Sequence, residues 1–250
     1  LPAVPAERVP EVLAKYEGEI QELKIKVAEK GQSLADDVAR VAAARKALPN
    51  ARLKVDANMG YTLAGALEAL RKLCEYGIIY AEQPVATIED MAALRFAIAK
   101  EGLPARIAAD ESIRKAEDPL KVARANAADL MVIKAAPLGG VRRALALVEQ
   151  AQLPAVVSSA LESSVGIATG ASLAASLPTL KYGCGLGTVS LMAEDVTDEP
   201  LIARDGFMDL RTITPSPQRL ARLATDEQTR QWWVERVTAC YRVLERACGL

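Results

Sequence analysis

Lys26, Asp56, Glu82, Asp110, Lys134 and Ser158 recur at intervals of 24 to 30 residues. Each lies at the end of a short apolar, β-branched run. Carboxylates at three such ends, brought together, would repel one another unless a cation lay between them. Oxygen ligands select a hard ion, so Asp56, Glu82 and Asp110 with open positions suit Mg²⁺ or Mn²⁺. An open position accepts a substrate carboxylate, and the metal then stabilises the enediolate formed when the α-proton leaves. The lysines flank the trio. Lys24 and Lys26 share one strand face, as do Asp56 and Asn58. A lysine is a poor base at its ordinary pKa of ~10.4. Lys24 and a nearby metal would push the Lys26 pKa down, which makes Lys26 the candidate base. Lys24 would tune it and touch the substrate carboxylate. Lys134, on the other side, reads as a second acid/base or a fixed positive charge. The chain has no histidine, so His bases, Ser-His triads and His-bound zinc are excluded.

The intervals dictate the elements. One strand, one helix and two short loops fill 24 to 30 residues. Strands are expected at 23–27, 52–57, 78–82, 106–110, 129–135, 154–159 and 180–184. Helices are expected between them. Ser33 caps 34–48, Thr62 precedes 63–76, Asp118-Pro119 opens 120–126, and Gly139-Gly140 precedes 141–150. Seven parallel strands at steady spacing predict a closed barrel. An open doubly wound sheet is the alternative, but no GxGxxG follows an early strand. Residues 1–4 read as the stub of another strand, with a helix at about 6–17. Residues 1–198 form the expected barrel domain and 199–250 an appended tail. The spacing of Trp232, Trp233, Val237, Tyr241 and Leu244 predicts a tail helix with one buried face, packed on the barrel or on a cap.

The bulk composition agrees. The chain has 250 residues, 51% apolar but only 4% aromatic, so its core is aliphatic, as in helix-covered parallel sheets. Net charge is −1, which attracts neither nucleic acid nor a membrane surface. No apolar run reaches the ~20 residues that span a bilayer. The N-terminus lacks signal-peptide character. Cys74, Cys184, Cys240 and Cys248 are scattered and read as reduced thiols of a cytoplasmic protein. Oligomeric state is not legible.

KIK at 24–26, DAN at 56–58, EQP at 82–84, ADES at 109–112 and IKAAPLGG at 133–140 together resemble the enolase superfamily, in its muconate lactonizing enzyme subgroup. SSALESSVG at 158–166, CGLGT at 184–188 and RQWW at 230–233 resemble the o-succinylbenzoate synthase family, its actinobacterial members especially. The resemblance implies a TIM-like (β/α)₇β barrel, with the family's N-terminal capping domain missing from this sequence. It implies dehydration of 2-succinyl-6-hydroxy-2,4-cyclohexadiene-1-carboxylate to o-succinylbenzoate, in menaquinone biosynthesis. By match, Asp56, Glu82 and Asp110 bind Mg²⁺. Lys26 takes the α-proton and then helps hydroxide leave from the same side. Lys134 stabilises the enolate, with Glu111 and Asn58 in support. An N-acylamino acid racemase of the same subgroup is a second reading, since two opposed lysines also serve two-base racemization. Cys184-Gly185-Leu186 stands where dipeptide epimerases carry Asp-x-Asp. A capless metal-binding barrel with little activity is a third.

Weaker signals have ordinary alternatives. Ser158, Ser159 and Ser163 could hold a distal substrate carboxylate near the Gly166 backbone, or could cap a helix. GLGT at 185–188 could shape the pocket floor or merely make a tight turn. PLGG at 137–140 reads as a turn, Glu162 as a solvated charge, and Cys184 as an inert thiol.

Overall fold

The computed structural model describes residues 1–16 and 18–248. Glu17, at the end of the first expected helix, and the Cys248 side chain lie outside the described part.

A 3₁₀ turn at Ala6–Arg8 leads into α1 (Val9–Leu13), shorter than the predicted helix over 6–17. Strands and helices then alternate: β1 (Glu22–Lys26), α2 (Leu34–Ala47), β2 (Arg52–Asp56), α3 (Leu63–Leu73), β3 (Ile78–Glu82), α4 (Ile88–Glu101) and β4 (Arg106–Ala109). Two short helices follow, α5 (Glu111–Arg114) and α6 (Lys121–Arg124). Next come β5 (Leu130–Ile133), α7 (Val141–Ala151), β6 (Ala155–Val157) and α8 (Ser164–Ala175), and the tail holds α9 (Pro217–Arg222) and α10 (Glu227–Cys248). Local chemistry sets several of these bounds. Ser33 and Asp36 form a reciprocal capping box on α2, and the Thr62 and Thr87 hydroxyls accept from Gly65 and Asp90 N–H groups. The helix expected over 120–126 is the four-residue α6. The Asp118 carboxylate accepts from the Leu120 N–H and holds a turn there, outside the helix.

The six strands are all parallel and pair in chain order. Register places Lys26 beside Asp56 and Asp56 beside Glu82. Glu82 pairs with Ala108, so Asp110 follows two residues further on, just past the end of β4. The period of two sends Ile25, Val55, Ile107, Met131 and Ile133 into the layer under the helices. The opposite, inner face carries a separate cluster of Tyr80, Ala108, Leu130, Val132, Val156 and Tyr182.

The seventh expected strand, 180–184, is not a ladder strand. The segment meets β6 through a single Ser158–Gly185 bridge. Side chains replace the missing ladder on its other side. Glu22 accepts from the Gly183 N–H at 2.8 Å, and Lys54 donates both to the Gly183 carbonyl at 2.8 Å and to Glu22 at 2.7 Å. At the N-terminal edge, the Lys26 N–H donates to the Leu1 carbonyl and the Leu1 amine to the Lys24 carbonyl, as a strand stub beside β1 would.

The expected buried face of the tail helix does not form against the barrel. Trp232, Trp233, Val237, Tyr241 and Leu244 on α10 are each more than half exposed. Periodicity in a sequence marks a face that gains from burial, but it does not supply the surface that buries it. No described helix is long and apolar enough to cross a membrane.

Candidate active site

The strand register brings the charged ends together at the C-terminal side of the sheet, where enzymes of this architecture place their chemistry. Asp56, Glu82 and Asp110 are almost fully buried, at 1%, 1% and 2% exposure. Lys24 donates to Glu82 at 2.8 Å and lies 3.1 Å from Asp56. Lys26 donates to the same Asp56 oxygen at 2.7 Å and also to the Asn58 side chain. From the opposite side, Lys134 donates to Asp110 at 2.6 Å. Two lysines from β1 and one from beyond β5 therefore bracket the three carboxylates.

Burial alone pushes the Glu82 carboxyl up, and Asp56 and Asp110 push it further. Lys24 opposes them, and Glu82 rests at about 7. Asp56 ends below its ordinary value: burial acts against its charge, but Lys24 and Lys26 outweigh burial. The reverse holds for Lys24. Burial disfavours its ammonium, yet Glu82 and Asp56 together hold its pKa above the usual lysine range.

Two residues not singled out in the sequence complete the site. Arg114, on α5, reaches Asp110 at 3.2 Å and Glu111 at 2.8 Å. Gln83 is fully buried with a positive φ of 37°. Its side-chain oxygen accepts from the Asp110 and Ser112 N–H groups, and its side-chain amide nitrogen donates to the Ser112 hydroxyl. It thereby ties the end of β3 to the end of β4. Gln83 stands inside the EQP motif, but its partners are main-chain groups 27 and 29 residues away, which no local pattern announces. Glu111 accepts from Asn58 at 3.2 Å through one oxygen. Its other oxygen is buried and, among the described residues, has no partner.

The serines behave differently. The Ser159 hydroxyl donates to the Gly185 carbonyl at 3.0 Å, and Ser158 lies 3.4 Å from the same oxygen. Both knit β6 to the closing segment. A Cβ at Gly185 would lie 2.7 Å from the Ser158 hydroxyl, so close approach explains that glycine of the GLGT stretch. Ser163 occupies the N-cap position of α8 without a side-chain cap bond. The Glu162 carboxylate closes its own loop, on the Ala160 N–H. PLGG makes a turn with positive φ at both glycines.

A divalent ion can be tested against these residues. Among the described residues no three His, Cys, Asp or Glu side chains are gathered so as to share one ion. Lysine ammoniums lie between the carboxylates instead. The donor set nevertheless fits a hard cation. It is all oxygen, buried, and on three adjacent strands, and its mutual repulsion already shows in Glu82.

A family model described as enolase C-terminal domain-like matches residues 6–215. The chain belongs to that family. Enzymes of the enolase superfamily generally use a divalent metal. Among curated relatives, an o-succinylbenzoate synthase of Mycolicibacterium smegmatis is 54% identical over 245 residues, covering 98% of this chain and 74% of the relative. One of Mycobacterium leprae is 50% identical over 250 residues, covering 100% of this chain and 72% of the relative. Among solved structures, the muconate lactonizing enzyme from Pseudomonas putida superposes with a TM-score of 0.76 at 26% identity, covering 89% of this chain. The chain spans 64% of that structure's length. The parallel sheet curled toward a barrel is thus the enolase-type C-terminal domain, and its six paired strands and side-chain closure are this chain's form of it.

Proposed function

We propose that this chain carries the barrel of an o-succinylbenzoate synthase, with Asp56, Glu82 and Asp110 holding Mg²⁺. The observation that carries the reading is the pair of opposed ammoniums, Lys26 on Asp56 and Lys134 on Asp110, flanking the carboxylates. The names of relatives at 50% and 54% identity support the choice among reactions of this type.

The charges favour such a substrate. Asp56, Glu82, Asp110 and Glu111 face Lys24, Lys26, Lys134 and Arg114, so the formal charges balance. A divalent cation, when bound, makes the site net positive even with Lys26 as a neutral base, and would offset the negative charge that develops on the substrate carboxylate. An anionic substrate such as 2-succinyl-6-hydroxy-2,4-cyclohexadiene-1-carboxylate suits a site of that sign. The neutral amine of Lys26 takes the α-proton. The resulting ammonium returns it to the departing hydroxyl on the same face, and water leaves as the ring becomes aromatic. Lys134 keeps its proton and stays as a fixed positive charge. In this reading Lys24 and Asn58 orient the carboxylate end, and Ser158, Ser159 and Ser163 are assigned to the succinyl end. The setting is a soluble, cytoplasmic biosynthetic step.

The test is dehydration of this substrate with Mg²⁺, with and without EDTA. Metal-dependent formation of o-succinylbenzoate is expected; its absence from a folded sample sinks the reading. The opposed lysines also favour a second activity, racemization of N-succinylamino acids. Exchange of the α-proton for deuterium from both enantiomers would reveal it.

A further inference from the structure

Behind the candidate base lies a buried polar network that the proposed reaction does not use. Arg40, on α2, is completely buried, and Asp37, one turn earlier, is 1% exposed. The Arg40 guanidinium donates to the Lys26 carbonyl at 2.9 Å, to the Val4 carbonyl at 2.6 Å, to Asp37 at 2.9 Å and to the Gln32 side chain. Asp37 spends its second oxygen on two further donors, the Ala28 N–H at 2.9 Å and the Tyr61 hydroxyl at 2.6 Å. One ion pair therefore grips the main chain on both sides of Val27, directly after Lys26. Through Tyr61 it also grips the loop after Asp56.

The two gripped loops are strained and in contact. Ala28 has φ 58° and Met59 φ 68°, left-handed conformations that persist only where the surroundings enforce them. A Cβ on Gly60 would lie 2.5 Å from the Ala28 carbonyl oxygen, so the loops touch backbone to backbone. These loops carry the partners of the base, since Lys26 donates to Asp56 at 2.7 Å and to Asn58. A buried ion pair is a poor device for stability, because desolvation offsets most of its attraction. It is a good device for fixing geometry.

We propose that Asp37, Arg40 and Tyr61 are positioning residues that lock the strand end of Lys26 against the loop of Asp56 and Asn58, and so aim the Lys26 amine. The inference rests on the proposed role of Lys26 as base. Because Asp37→Asn can compromise folding, Tyr61→Phe is the deciding variant; it removes one hydroxyl and keeps the ring. Turnover of the cyclohexadiene carboxylate, Mg²⁺ binding by calorimetry and thermal midpoint are compared with wild type. We expect kcat to fall roughly ten- to a hundredfold with KM, Mg²⁺ affinity and melting unchanged, as misplacement of a catalytic group predicts. Unchanged kcat, or kcat, KM and melting all worsening together, overturns the proposal.

A second readout does not depend on turnover. Acetylation of Lys26 by acetic anhydride, followed by peptide mass spectrometry, should accelerate several-fold in Tyr61→Phe while exposed Lys30 keeps its rate. If wild type shows no turnover, the proposed function fails but the clamp is still judged by this labelling. Equal Lys26 labelling in both proteins overturns it.

Discussion

Asp56 is the most contested side chain of the site, because two ammoniums reach for one of its oxygens. Lys26 lies 2.7 Å from it and Lys24 3.1 Å. That sharing makes the loss of Lys26 survivable for the carboxylate. In Lys26→Ala, Asp56 keeps Lys24 and is not left as an unpaired buried charge. We therefore expect Lys26→Ala to fold and to bind Mg²⁺ at least as well as wild type, while turnover falls by about 10²–10⁴, the usual contribution of a positioned acid/base. Calorimetry and steady-state kinetics on the same sample check this, and retained turnover removes Lys26 from its role. Thiol chemistry separates in the same residue-by-residue way. Burial pushes the Cys74 and Cys184 thiols up, whereas Cys240 is exposed on α10. At neutral pH, iodoacetamide should label Cys240 first and leave Cys74 and Cys184 mostly unmodified until the protein unfolds. Early labelling of Cys184 would contradict its reading as an inert thiol.

Elements set these residues in place, and two glycines separate packing from propensity. A Cβ at Gly60 would meet the Ala28 carbonyl oxygen at 2.5 Å, the Ala28 Cβ at 2.7 Å and the Ala57 carbonyl oxygen at 2.9 Å. All belong to main chain or to a Cβ, so nothing can swing aside. At Gly187 an added Cβ meets nothing within 4 Å, and its φ of −87° suits any residue. Gly60→Ala should cost about 1–3 kcal/mol by overpacking and should weaken Mg²⁺ binding, because it parts the loops after β1 and β2. Gly187→Ala should melt like wild type. Equal melting of the two variants would refute the close approach of the loops. The same elements show what the sequence could carry. Lys26, Asp56, Glu82, Asp110 and Lys134 were legible because charge recurred in phase with the βα unit and parallel register then aligned it. Gln83, Arg40 and Asp37 were not, because they act largely on main-chain groups of other elements, which no local pattern announces. Segment 180–184 read as a strand from its composition. Its closure instead depends on Glu22 and Lys54, more than 120 residues earlier, which strand propensity cannot sense.

At the scale of the molecule, the tail divides at about residue 223. Before that point it is tied to the barrel. Ser164 on α8 holds the Asp195 carboxylate and accepts from the Leu201 N–H at 2.7 Å, and Arg219 on α9 reaches Asp198 at 2.6 Å. Beyond it, the hydrogen bonds of the 22-residue helix α10 among the described residues run within its own turns and to the residues that start it. Its described large apolar residues are exposed, from 46% at Val234 to 64% at Val243. Buried apolar area is what a helix contributes to stability, so α10 contributes little to the barrel. Removing residues 226–250 should leave the thermal midpoint and Mg²⁺ affinity of the barrel unchanged. It should also reduce concentration-dependent association in sedimentation, since a large exposed apolar patch is an adhesive surface. For a chain of this size about 1 kcal/mol corresponds to roughly 2–4 °C. A larger fall in the midpoint would mean that α10 packs on the barrel in solution, and that the buried face expected from Trp232, Trp233, Val237, Tyr241 and Leu244 forms there after all.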